Sequence, residues 1–124
     1  MVSERFDNDM LHIELTQDDA TVTVHFQGKS ILRNPAEFLM PIVFNTLVKA
    51  KGQGKRLVLN FCDLLYMNSS TLTPVIKVLE QARIGDGEVT IRYKKSLKWQ
   101  DISFSALSIF QTQDHRIQIE GVDP

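Results

Sequence analysis

Four small polar residues in a row, Asn68-Ser69-Ser70-Thr71, are the side chains in this sequence best placed to do chemistry. Before them, Leu57 to Phe61 reads as a short buried strand, followed by a loop from Cys62 to Met67. After them, Leu72, Val75, Ile76, Leu79 and Ala82 recur at the spacing of one helical face. A strand that feeds a helix through hydroxyl residues sets those hydroxyls at a helix N-terminus. There the first N–H groups lack intrahelical partners and the macrodipole is positive. Such a place suits an anion, including a phosphate carried by one of the serines. The same residue types also serve as ordinary helix caps. Pro74 is comfortable only in a first helical turn, so the helix starts nearer Thr71 and leaves Ser69 on the exposed lip.

Other chemistry has less support. A nucleophile needs a base, and the three histidines fall in separate elements, while Asp63 reads as a surface or turn carboxylate. No catalytic residue is assigned, and a small-molecule enzyme is the weakest reading. His12 and His25 lie on polar strand faces, which favours solvent-facing or cross-strand roles over metal binding. Gly52-Gln53-Gly54-Lys55 follows a helix, whereas a P-loop lies between a strand and the next helix, so no nucleotide site is expected there. Cys62 reads as a packed small residue. Lys94, Lys95 and Lys98 with Trp99 form a cationic-aromatic cluster that could meet a partner. No cofactor is implied.

The 124 residues suffice for one domain with a buried core, and 43% hydrophobic with 23% charged residues is ordinary for a soluble globular chain. A formal net charge of −1 does not point to nucleic acid or to a membrane surface. One cysteine, no apolar run of membrane-span length and a charged N-terminal stretch lead us to expect a cytoplasmic protein.

The elements that must position the hydroxyls follow from periodicity. Residues 1–9 are polar and expected to be a flexible segment, with a single domain over residues 10–120. Leu11, Ile13 and Leu15 alternate with polar residues, as do Val22, Val24 and Phe26, which predicts a β-hairpin. Gly28 ends the second strand and Lys29 to Arg33 connect onward. Asn34-Pro35 supplies an N-cap and a first helical residue, and Pro41 is expected to kink the helix or split off its first turn. Gly52-Gln53-Gly54 stops that helix. Val89, Ile91 and Tyr93 give a further strand, a third helix falls between Leu97 and Phe110, and Arg116 to Glu120 close the chain as a strand. The order β-β-α-β-α-β-α-β predicts an α/β domain, a mixed sheet with helices packed against it.

On that order of elements, residues 57–72, LVLNFCDLLYMNSSTL, resemble the signature of STAS domains, the anti-sigma-factor antagonist family of the SpoIIAA type. The shared features are the strand ending in Leu-Asn, Asp63-Leu64, a large apolar residue and Met67, then Ser69-Ser70 and Leu72. The resemblance implies a STAS-like fold and a phosphorylation-controlled partner switch with Ser69 as phosphoacceptor. The partners it implies are a GHKL-type serine kinase that is itself the anti-sigma factor, and a PP2C-type phosphatase. Asn68 stands where the family usually has Asp, and Thr71 where it usually has Gly. In this the chain resembles the SiaC-like branch, as it does in Gly28-Lys29-Ser30, Asn34, Glu37-Phe38 and Pro41. That branch implies a diguanylate cyclase as an alternative partner; a scaffold STAS subunit of a larger assembly is a further reading. The expected docking surface comprises Asn68, Ser69, Ser70, Thr71 and Trp99.

Overall fold

Every second residue from Leu11 to Leu15 and from Val22 to Phe26 is buried, as are Leu57, Leu59, Phe61, Val89, Ile91, Tyr93 and Ile117. These side chains define one face of a six-stranded sheet and settle where the helices pack. The computed structural model describes residues 3–123. The strands are β1 (Glu4–Asn8), β2 (Leu11–Gln17), β3 (Thr21–Ser30), β4 (Arg56–Met67), β5 (Val89–Lys94) and β6 (Ile117–Val122), side by side in that order. β1, β2 and β3 pair antiparallel, and β3 through β6 pair parallel. The helices are α1 (Pro35–Gly52), α2 (Leu72–Ile84) and α3 (Lys98–Ser105), and a short 3-10 stretch, Ala106–Phe110, continues α3. The mixed α/β architecture expected from the sequence is the one observed.

The core is a stack of rings and aliphatic chains between sheet and helices. Phe26 of β3 lies on Phe61 of β4 with centroids 4.3 Å apart, and Phe61 lies on Phe104 of α3 at 4.6 Å. Stacked pairs of this kind add roughly 0.5–1.5 kcal/mol beyond the area they bury. Leu39, Ile42, Val43, Leu47 and Ala50 line the inner face of α1, and Val75, Val78, Leu79 and Ala82 that of α2. The C-terminus of α2 is closed by Arg116, whose guanidinium donates to the carbonyls of Ala82 (3.0 Å) and Gly85 (2.9 Å). A cation there satisfies orphan carbonyls and opposes the negative dipole end.

Several boundaries differ from the sequence reading. Glu4–Asn8, expected to be loose, is an edge strand in unbroken register with β2. β3 does not end at Gly28 but runs to Ser30, and β4 continues through the expected loop to Met67. The two ends pair with each other, Lys29 beside Tyr66 and Ser30 beside Met67. Pro41 lies inside a continuous α1. The carbonyl its missing N–H leaves free belongs to exposed Glu37, where water can replace the lost bond. Asn34 precedes α1 as expected, but its side chain makes no capping hydrogen bond. The last strand starts at Ile117 and extends to Val122. His12 and His25 take cross-strand roles, His12 to Asp7 (2.6 Å) and His25 to Asp63 (2.7 Å).

Candidate functional site

Because β3, β4 and β5 run parallel and each leads into a helix, the N-termini of α1, α2 and α3 gather at the C-terminal edge of these strands. In open α/β sheets this edge is where ligands and partners are met. The hydroxyl cluster lies there. Ser69–Thr71 form one turn of 3-10 helix that passes directly into α2, so the helical run begins at Ser69.

The turn is braced from inside. Ser30, the last residue of β3, is fully buried, and Thr71 is 1% exposed. Their hydroxyl oxygens are 2.7 Å apart, and Thr71 Oγ1 also donates to Asn68 Oδ1 at 2.8 Å. Asn68 Nδ2 donates to the carbonyl of Leu32 at 2.9 Å. A carbonyl can only accept, which fixes the amide orientation and gives the chain one direction. Ser30 donates to Thr71, Thr71 to Asn68, and Asn68 to Leu32. Two backbone bonds run alongside, Asn68 N–H to Ser30 C=O (3.0 Å) and Thr71 N–H to Asn68 C=O (3.1 Å). An aspartate at position 68 could not donate to Leu32, which is a physical reason for asparagine here.

Ser69 and Ser70, by contrast, are exposed. Asn68 is half-buried, and no acidic residue lies in the first turn of α2. An anion on Ser69 would therefore meet free N–H groups and the positive dipole end without a carboxylate in that turn. Thr71, expected on the docking surface, is a correction: it faces inward and holds the turn. Trp99 is half-buried near the start of α3, tilted against Phe104 (6.4 Å between centroids).

Replacing Thr71 with valine keeps the shape but removes both hydroxyl bonds. It leaves Ser30 and Asn68 short of partners at a cost of about 1–3 kcal/mol. Urea unfolding should show the loss, and amide exchange at Asn68 should quicken as the bracing goes.

The sequence reading missed three exposed apolar residues at this same end of the sheet: Leu65 (64% exposed), Tyr66 (50%) and Ile31. β4 carries two one-residue bulges against β3, between the His25–Asn60 and Gln27–Asp63 pairs and between Gly28–Leu64 and Lys29–Tyr66. The second makes Leu65 the extra residue and turns both Leu65 and Tyr66 outward while Leu64 and Met67 stay buried. The run Leu64-Leu65-Tyr66-Met67 was the signal, since no strand can bury four successive side chains on one face.

Nucleophilic chemistry finds little here. Cys62 is half-buried, burial pushes its thiol pKa up, and the adjacent Asp63 carboxylate pushes the same way, which disfavours the thiolate. Asp63, read as a turn or surface carboxylate, is an exposed residue of β4 engaged by His25. No helix among the described residues is long and apolar enough to cross a membrane.

Strand order, the one-sided helical layer and the hydroxyl turn at the β4–α2 junction together define a STAS-like fold. A protein from Thermotoga maritima described as an anti-sigma factor antagonist is similar over 85% of this chain and 82% of its own, at TM-score 0.59 and 18% identity. Apo-SiaC from Pseudomonas aeruginosa is similar over 98% of both chains, at TM-score 0.58 and 17% identity. So is a chain in the complex of the Pseudomonas aeruginosa diguanylate cyclase SiaD with its activator SiaC, over 96% of this chain and 99% of that one, at TM-score 0.59 and 17% identity. No family model and no curated protein sequence matches the chain.

Proposed function

We propose that this protein is a phosphorylation-controlled partner-switching regulator whose switch is Ser69. The observation that carries the reading is an exposed hydroxyl on a turn braced from behind, at the start of a helix and beside exposed Leu65 and Tyr66. In the unmodified state, the turn and its apolar neighbours dock a GHKL-type serine kinase or another signalling protein. Phosphorylation adds about −1.5 to −2 charges. The helix dipole offsets only roughly 0.3–1 kcal/mol of the cost of that charge. A partner surface shaped for a small neutral hydroxyl loses more, through steric clash and desolvation, and a loss of about 3 kcal/mol exceeds a hundredfold in affinity. The fold itself need not change. A PP2C-type phosphatase reverses the step.

A second reading, in which the docked protein is a diguanylate cyclase, is supported by the likeness to SiaC, whose solved complex is with the cyclase SiaD. Asn68, one of the positions at which the sequence resembles the SiaC-like branch, supports it too.

The test begins with intact-mass analysis of protein from its native host and peptide mapping of residues 67–77. Partner capture then compares wild type with Ser69→Ala and Ser69→Asp. Ser69→Ala is expected to bind and to resist phosphorylation, and Ser69→Asp to lose at least a hundredfold in affinity. Full phosphorylation of Ser69→Ala by kinase and ATP would overturn the assignment. The nature of the captured protein, kinase or cyclase, separates the two readings.

A further inference from the structure

Among the described residues, β1 is the outermost strand of the sheet and pairs only with β2, so its outer edge carries a row of backbone N–H and C=O groups with no described strand beside it. Such edges are commonly blunted by short length, charged side chains, proline or a bulge. Glu4-Arg5-Phe6-Asp7-Asn8 is short and carries three charges, but it has no lysine, proline or bulge, and its register with β2 is unbroken. Two of its charges, Arg5 and Asp7, are opposite in sign and flank Phe6; within the chain they lie 3.7 Å apart, and Asp7 also meets His12 at 2.6 Å. Arg5 and Asp7 are both about half exposed on the sheet face away from the helices, and Phe6 is half-buried on the helix side, opposite Ile13.

We propose that a second copy of this chain pairs with β1, strand to strand and antiparallel, in the register centred on Phe6. In that register Arg5 of each copy stands opposite Asp7 of the other, Glu4 opposite Asn8, and the two Phe6 rings meet on the helix side. Opposite charges directly across an antiparallel pair stabilise it, and like charges oppose it. The other registers are worse. A slip of one residue sets Glu4 against Asp7 or Phe6 against Asp7; a slip of two sets Arg5 against Arg5 or Asp7 against Asp7. The chosen register also keeps each side chain on its own face, so the six strands of each copy continue into one sheet with the helices of both copies on the same side. Five residues make a short contact, which places the dimer in the weak, concentration-dependent class.

Sedimentation velocity of the full chain tests this. Wild type should form dimers as its concentration rises, less readily at high salt. Arg5→Glu and Asp7→Arg should each be monomeric, because each sets like charges across the twofold. An equimolar mixture of the two variants should dimerise again, since both cross-strand pairs then have opposite sign. Under oxidation, Phe6→Cys in a Cys62→Ser background should crosslink copies readily, and Asn8→Cys in the same background should not. A wild type that stays monomeric at about 1 mM overturns the proposal. So do single-charge variants that dimerise like wild type, a mixture that stays monomeric, or a Phe6→Cys protein that fails to crosslink.

Discussion

Replacing Gln100 with leucine is expected to lower stability by about 3–5 kcal/mol, although the substitution is close to isosteric and sits far from the hydroxyl turn in sequence. β5 pairs with β4 only as far as Asn60 beside Arg92, while β4 runs on to Met67. Beyond Asn60 the β5 side of β4 would be left with unpaired polar groups in the interior. The fully buried Gln100 amide fills that place. Its Nε2 donates to the carbonyls of Phe61 (2.7 Å) and Leu64 (2.9 Å), and its Oε1 accepts from the Lys94 N–H (2.8 Å). One side chain thus stitches α3 to the ends of both strands. Leucine removes three bonds at once and leaves two carbonyls and one N–H buried without partners, each worth about 1–3 kcal/mol when orphaned. For a domain of this size the melting temperature should fall by more than about 10 °C. A loss under about 1 kcal/mol in urea unfolding would show that water or a backbone shift takes the place of the amide.

Gly28→Ala is the second large effect, expected at about 3 kcal/mol or more. Gly28 has φ +85°, in the region that side chains avoid, and it stands between the two bulged steps of the β3–β4 pairing. A Cβ built there meets the Met10 carbonyl oxygen at 2.1 Å. That oxygen is backbone and already accepts from the Lys29 N–H (3.0 Å), so it cannot swing aside without breaking the start of β2. Strain at the residue itself adds about 1–3 kcal/mol. Because β3 must reach Ser30 to brace Thr71, the variant should also loosen the turn. Denaturant unfolding measures the first effect, and partner affinity of the still-folded fraction measures the second. A variant as stable as wild type would show that β2 and β3 can slide apart there at little cost.

The sequence disclosed the parts of this fold that repeat. Leu11-Ile13-Leu15, Val22-Val24-Phe26 and Val89-Ile91-Tyr93 each bury alternate residues, and α2 buries one stripe, so their periods survive in the string of letters. β1 left no such trace, because an edge strand with Phe6 as its lone apolar residue has no alternation to read. The far half of β4 was lost for another reason: two inserted residues shift the phase between Asn60 and Tyr66, and strand then looks like loop. At the site, the hydroxyl run and its place before α2 were plain. What separates Ser69 from Thr71, outward from inward, is set by Ser30 and Leu32, and residue type alone says nothing of that.

The hydrogen bond between Ser30 and Thr71 joins residues 41 apart in the chain, from the end of β3 across α1 and the whole of β4. Closing a loop of that length costs entropy before any contact repays it, so the turn acquires its shape only after the crossover has docked. A short peptide bearing the same serines has the letters without the geometry. A partner that read Ser69 by shape, as proposed above, would read finished protein and pass over nascent or unravelled chain.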